Sequence, residues 1–182
     1  MKHEELLEII TLPEGCTFTC DNKVMIVKGP KGELSRPLPD KKIKIVIKGS
    51  EVSLSYKNAT KREKRMLLTT KAHLNNMLKG VTQGFMYKLK ICSGHFPMNV
   101  SLKGEVLEIK NFIGEKVPRT LKIKPGASVK ISGDEIVVES IDKELAGQTA
   151  GSIEKLTRRP GFDKRIFQDG IYIVEKDGKK LS

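Results

Sequence analysis

Side chains able to bind or react cluster in a few places along this chain. Arg158 and Arg159 are followed, across Pro160-Gly161, by Lys164 and Arg165. Cations at this density suit phosphate, which arginine meets with a planar fork and lysine with a point charge. Gly29-Pro30-Lys31-Gly32 looks superficially like a loop that cradles nucleotide phosphates. Such a loop needs G-x-x-x-x-G-K-[ST] between a strand and a helix. No Lys-Ser/Thr pair follows Gly32, and a strand pattern comes next, so nucleotide hydrolysis is not expected. Cys16-x3-Cys20 with Cys92-x2-His95 can be drawn as a zinc tetrad. The two pairs are far apart in sequence, Cys20 falls in a strand pattern, and neither pair forms a compact knuckle, so no metal is expected. His3, His73 and His95 lie in different segments, and no Ser/His/Asp or Cys/His set carries a family signature. There is no positive case for catalysis: no catalytic residue is assigned, and neither a cofactor nor a small-molecule substrate is expected.

Something must hold these groups in place, and the composition says what kind of body does so. The chain has 182 residues, 38% hydrophobic and 31% charged, enough for a real core and too apolar for disorder. No apolar run approaches the roughly 20 residues of a membrane helix, and MKHEELLEII has no apolar stretch of the secretory kind. An odd cysteine count, three, leaves at least one thiol unpaired and fits a reducing compartment. The net charge is +12, and residues 41–90 alone carry a balance of +11. That concentration repels itself unless a polyanion meets it, and nucleic acid is the commonest partner. A solvated basic face is the alternative.

Taken in order, residues 1–16 read as an arm in which Leu6, Leu7, Ile9 and Ile10 pack as a short strand or a helix, stopped by Pro13 and Gly15. Val24–Lys28 reads as a strand running into the Gly29–Gly32 loop. Ile43, Ile45 and Ile47, then Val52, Leu54 and Tyr56 across Gly49-Ser50, alternate as a hairpin with one buried face. From Thr60 to about Lys79 the period becomes helical. Met66, Leu67, Thr70, Leu74, Met77, Leu78 and Val81 share one side. Lys61, Lys64, Arg65, Lys71, Asn75 and Lys79 share the other, with Glu63 the helix's only acid and Gly80 as the stop. Strands follow at 85–92, 98–102 and 105–109. A second helix is expected from about Asp142 to Arg159, with Gly147 and Gly151 marking close packing on its sheet. Beyond Pro160-Gly161 the chain turns extended, through Ile166, Phe167, Ile171, Tyr172, Ile173 and Val174.

An internal echo organises these parts. Val24–Lys28 aligns with Val106–Lys110 and Gly32-Glu33 with Gly114-Glu115, 82 residues on; Ile47, Gly49 and Val52 align with Ile131, Gly133 and Ile136, 84 on. The fold class expected is therefore α+β, with two tandem duplicated units. Each is a small, mostly antiparallel or mixed β-sheet packed by one α-helix. Residues 1–83 form the first repeat with its amino-terminal arm, and residues 84–182 the second with a basic carboxyl-terminal extension. With six Phe, three Tyr and no Trp, and no aromatic pair on a strand, base stacking on a sheet face is not expected. Loops and helix ends gripping a phosphate backbone are expected instead.

Several stretches then resemble one family. Arg165-x-Phe167-x-Asp169-Gly170-Ile171-Tyr172-Ile173-x-x-Lys176, with Gln148 upstream, is similar to the carboxyl-terminal signature of the universal large-subunit ribosomal protein six family, numbered nine in eukaryotic naming. The form with Phe-x-Asp-Gly-Ile-Tyr resembles the eukaryotic and archaeal version. Val27–Leu34 resembles the family's first loop, and Lys71–Met77 with Gly80–Phe85 its first helix and exit. Pro160-Gly161 departs from the more charged connector expected there.

The resemblance implies a structural, non-catalytic constituent of the cytosolic large ribosomal subunit. It implies binding of large-subunit rRNA near the sarcin–ricin loop and translation-factor site, with neighbouring ribosomal proteins near the stalk base as further partners. It makes Arg158, Arg159, Lys164, Arg165 and Lys176 candidate rRNA contacts at the carboxyl end. Lys110, Lys116 and Arg119 are candidates around the second unit's equivalent of the Gly29–Gly32 loop. Lys61, Lys64 and Arg65 on the first helix could meet RNA or protein. The reading from another class is a free basic module that binds acidic proteins or other RNA.

Overall fold

Alternating apolar residues between glycine turns dictate strands, and two runs of helical periodicity dictate helices, in the order β-rich segment, helix, β-rich segment, helix. A computed structural model describes residues 3–40, 42–163 and 165–181. The chain divides into two compact units, Met1–Gly84 and Phe85–Ser182.

The first unit contains β1 (His3–Thr11), β2 (Thr17–Asp21), β3 (Val24–Gly29), β4 (Gly32–Pro37), β5 (Lys44–Lys48), β6 (Glu51–Ala59) and α1 (Lys61–Thr82). Of the strand and the helix that the amino-terminal pattern allows, the chain forms the strand. Its residues pair antiparallel with β6, Leu6 opposite Tyr56 and Ile10 opposite Val52. Ile10 is buried while Leu7 and Ile9 stay exposed, the period-two signature of a one-sided sheet. The second unit contains β7 (Phe85–Cys92), β8 (Asn99–Lys103), β9 (Val106–Lys110), β10 (Arg119–Lys122), β11 (Ala127–Ser132), β12 (Glu135–Ser140), α2 (Lys143–Leu156), β13 (Gly170–Lys176) and β14 (Lys179–Lys180).

Each unit divides its strands between two antiparallel sheets: β1-β6-β5 and β2-β3-β4 in the first, β11-β12-β7-β13-β14 and β8-β9-β10 in the second. Proline explains the break. β4 ends at Pro37 with Pro39 close behind, and Pro118 and Pro125 bracket β10, where a missing N–H stops a ladder from running on. The repeat is visible in these sheets. β3 and β9, the aligned segments, are both central strands of three, and the hairpins β5-β6 and β11-β12 match. β13 has no counterpart, and it adds to the free side of β7.

The cores follow from the wheels. Phe18, Met25, Val27, Leu54, Leu67 and Leu74 anchor one, and Phe85, Leu89, Leu107, Phe112, Ile136 and Ile153 the other. α1 begins at Thr60, whose side chain accepts from the Arg62 N–H, while Glu63 reaches back to the Thr60 N–H at 2.9 Å, a capping box. Gly80 does not end it. Gly80 is buried within the helix, and the stop is Gly84, at φ +77, whose N–H donates to Gly80 and Lys79 carbonyls. A left-handed residue after the last turn closes a helix in this way.

α2 is shorter than its sequence suggests, ending at Leu156 rather than at Arg158 or Arg159. Its glycines are not forced by close packing either. A Cβ at Gly147 would sit 3.5 Å from the Tyr87 hydroxyl, an ordinary contact, and one at Gly151 would meet nothing within 4 Å. The tight approach is elsewhere: a Cβ at Gly29 would come within 2.6 Å of Val81.

A candidate nucleic-acid interface at the carboxyl end

The segment after α2 begins with a helix end made by tertiary contacts. The Thr157 hydroxyl donates to the Glu154 carbonyl at 3.1 Å and accepts the Ile171 N–H at 3.0 Å. Glu154 Oε1 accepts the Ile173 N–H at 3.2 Å. These bonds tie the last turn of α2 to β13 and turn the chain outward before Pro160 would have broken the helix. Arg158 and Arg159 therefore lie in the connector, with Arg158 exposed and Arg159 half-buried. The Arg159 guanidinium lies 4.3 Å from the Phe162 ring centroid. Phe162 meets Phe167 edge-on at 5.0 Å, and Phe167 packs against His95 at 5.0 Å.

Asp169 fixes the other end of this connector. It is buried, with Oδ1 accepting the N–H groups of Gly94 (2.7 Å) and His95 (3.0 Å), and Oδ2 lying 2.6 Å from His95 Nδ1. Burial pushes its carboxyl up, but the hydrogen bonds from the His95 backbone and ring and from Gly94, with attraction to His95, outweigh it. The net pKa is lowered. The Asp-Gly step thus pins the entry of β13 to the loop after β7. Ile166 and Phe167, expected in the extended segment, are instead in a turn, both N–H groups donating to the Asp163 carbonyl. The strand starts only at Gly170.

The candidate rRNA-binding cations fare differently. Arg158 is exposed, and Lys116 and Lys176 are exposed as well. Arg165 is 90% exposed, but its guanidinium chelates Asp163, with Nη2 to Oδ2 at 2.8 Å. Hydrogen bonds from the Arg165 side chain and backbone hold Asp163 below its usual range. Lys164 lies outside the described residues. Lys110 sits 3.8 Å from Glu108, whose nearer partner is Lys103 at 2.6 Å.

Arg119 is turned inward. It donates to Glu115 through Nε (2.8 Å) and Nη2 (2.6 Å), reaches the Leu156 carbonyl at 2.6 Å and lies 4.4 Å from the Phe112 centroid. It holds the end of α2, where a cation suits the negative pole of the helix. In the first unit Lys31 does the same for α1, donating through Nζ to the Gln83 carbonyl and through its N–H to the Val81 carbonyl at 2.9 Å.

Also in the first unit, Lys61, Lys64 and Arg65 lie along α1, Lys61, Lys64 and Arg65 being the cations that the sequence places on its outer face. Lys71, read with them as uncompensated, pairs with Glu8 of β1 at 2.7 Å. The acid missing from the helix comes from a strand. Among the described residues no three His, Cys, Asp or Glu side chains group to hold a metal. Burial first, then Asp21, pushes the Cys20 thiol up, away from the reactive thiolate form. Sequence reasoning missed the Asp169 anchor and the Arg159–Phe162 pair. Asp169 stands out in the sequence only as a member of the carboxyl-terminal signature, which does not tell its partners, and an arginine–phenylalanine stack leaves no periodic trace.

Known proteins resemble the chain throughout this architecture. A family model described as Ribosomal protein L6 matches residues 12–84 and 96–170, one stretch in each unit. A protein named Large ribosomal subunit protein uL6 from Methanospirillum hungatei JF-1 is 44% identical over 168 residues, which span 92% of this chain and 96% of that protein. A protein of the same name from Methanosarcina mazei is 45% identical over 173 residues, 95% of this chain and 98% of that protein. A third, from Methanococcus vannielii, is 43% identical over 174 residues, 96% of each.

Proposed function

The chain belongs to the ribosomal protein L6 family, and from that premise we propose that it is a structural, non-catalytic constituent of the large ribosomal subunit, bound there to rRNA. The finer reading puts it on the cytosolic ribosome, near the sarcin–ricin loop and the translation-factor site, beside the proteins of the stalk base. The observation that carries the rRNA contact is the connector after α2. Arg158, Arg159 and Arg165 are offered on a loop whose two ends are hydrogen-bonded to the body, through Thr157 and Asp169. A pre-positioned cationic loop binds a polyphosphate without first losing the entropy of ordering itself. Lys164, beside Arg165 in sequence, is proposed as a further rRNA contact. Lys176, Lys110 and Lys116 are proposed as peripheral contacts, and Lys61, Lys64 and Arg65 as contacts of the first unit to RNA or a neighbouring protein.

The test is binding of deproteinised large-subunit rRNA over a salt series. Replacing Arg158, Arg159, Lys164 and Arg165 by glutamine should weaken binding. It should also flatten the dependence of log K on log salt, by roughly 0.7–0.9 for each phosphate that is no longer neutralised. An unchanged slope would remove the connector from the interface. The basic face of α1 favours a second reading, a free module for acidic proteins. A high-salt gradient separates the two, since a subunit protein sediments with large subunits and a free module stays at the top.

A further inference from the structure

Beside the connector, the last turns of α2 enclose a cleft of about 430 Å³ lined by Gly151, Lys155, Arg158, Arg159, Phe162 and Tyr172, among others. That volume falls within the roughly 300–1,000 Å³ of clefts that hold small organic ligands. Its chemistry is uneven. Phe162 is 37% exposed, and the Arg159 guanidinium lies 4.3 Å from its ring centroid, so the lining combines a partly open aromatic ring with a cation. Lys155 and Arg158 stand beside it on the helix end and the connector. The helix contributes no side chain at Gly151, where a Cβ would meet nothing within 4 Å. The glycine costs α2 helix stability, and no packing contact of its own accounts for it.

From this arrangement we propose that the cleft receives a single unpaired, extruded nucleotide of the bound RNA. Its base stacks on Phe162 above the bare turn at Gly151, and its flanking phosphates meet Lys155 and Arg158. Every base has a π-face, so such a platform tolerates any base. It distinguishes single-stranded loops from duplex, because a paired base cannot leave its stack without an energetic cost. This rests on the rRNA-binding reading and adds to it the form of RNA recognised. The sequence argues against base stacking on a sheet face. The structure moves the stacking surface to a loop and a helix end, a place that the strand pattern does not report.

The test uses the full chain, a short single-stranded RNA carrying 2-aminopurine at its centre, and a blunt duplex of the same sequence. Wild type should bind the single strand more tightly and change the 2-aminopurine fluorescence. Gly151→Leu fills the cleft with a better helix former and leaves every cation in place. It should lower single-strand affinity about tenfold and abolish the fluorescence change, with duplex affinity altered less than about twofold. Phe162→Leu should do the same, and Gly151→Ala, too small to fill the space, should behave as wild type. Thermal melts of each variant check that the fold is kept. A Gly151→Leu protein that binds and reports like wild type overturns the proposal. So does an equal loss for strand and duplex, which would mean the cleft meets phosphates alone. If wild type binds deproteinised large-subunit rRNA but neither short RNA, only the proposal falls; if it binds none of the three, the rRNA-binding reading falls and takes this proposal with it. If wild type binds both equally with no fluorescence change, only the proposal falls.

Discussion

Asp169 shows how one buried side chain can fix the end of the connector proposed as the binding surface. It satisfies two backbone N–H groups and a histidine ring from the loop after β7. Asp169→Ala leaves those N–H groups without their acceptor, so unfolding in urea should show a loss of about 2–3 kcal/mol. The pH dependence has a definite sign. A carboxyl lowered in the folded state stabilises above its unfolded value, about 3.9, and that contribution disappears as pH falls toward the folded value. Glu115 shares the direction, because Arg119 bonds to it. Stability should therefore fall with acidification below about pH 4, and Asp169→Asn should flatten that fall in denaturation curves taken from about pH 6 to about pH 2.

Arg119 makes the opposite point, a cation that composition counts toward nucleic acid and the fold uses on itself. Arg119→Ala should lower stability by roughly 1.5–3 kcal/mol, the range for hydrogen bonds to charged groups, while leaving the salt slope of RNA binding unchanged. A flattened slope for this variant would place Arg119 back at the interface.

Among the elements, each helix ends against a basic side chain from the three-stranded sheet of its own unit, Lys31 in the β3-β4 turn for α1 and Arg119 at the start of β10 for α2. The Gly29–Gly32 loop is thus a helix-docking turn, which explains why its glycines resemble a phosphate loop without the rest of that motif. Gly29→Ala would drive a Cβ into Val81, and a thermal or urea melt should show destabilisation of about 1–3 kcal/mol from overpacking. Gly147→Ala should do the reverse. Its Cβ has room beside Tyr87, and removing a helix-interior glycine should add up to about 1 kcal/mol of stability.

Across the full chain, duplication supplied two similar bodies, and the differences between them bear on function. β13 extends the second unit's sheet and anchors the connector with its arginines, whereas the first unit ends at Gly84 without such an addition. Reduced rRNA binding should therefore follow charge removal at Arg158 and Arg165 more closely than at Lys61, Lys64 and Arg65. Parallel salt series on the two variant sets will decide this, and equal effects would spread the interface over both units.

Residue order alone was enough for the class of fold, the tandem repeat, both helices and the family, because periodicity, glycine turns and ordered motifs are local and survive in one dimension. It also marked Arg158, Arg159 and Arg165 as a cationic cluster, while placing the first two on a helix that ends at Leu156. Only packing in three dimensions settled where α1 and α2 stop, which of two glycines ends a helix, and which cations the fold engages. Those outcomes depend on partners distant in sequence: Thr157 meeting Ile171, Asp169 meeting His95, Arg119 meeting Leu156, Lys71 meeting Glu8. A charge becomes available to a ligand only after the fold has taken what it needs, and a linear chain does not record that competition.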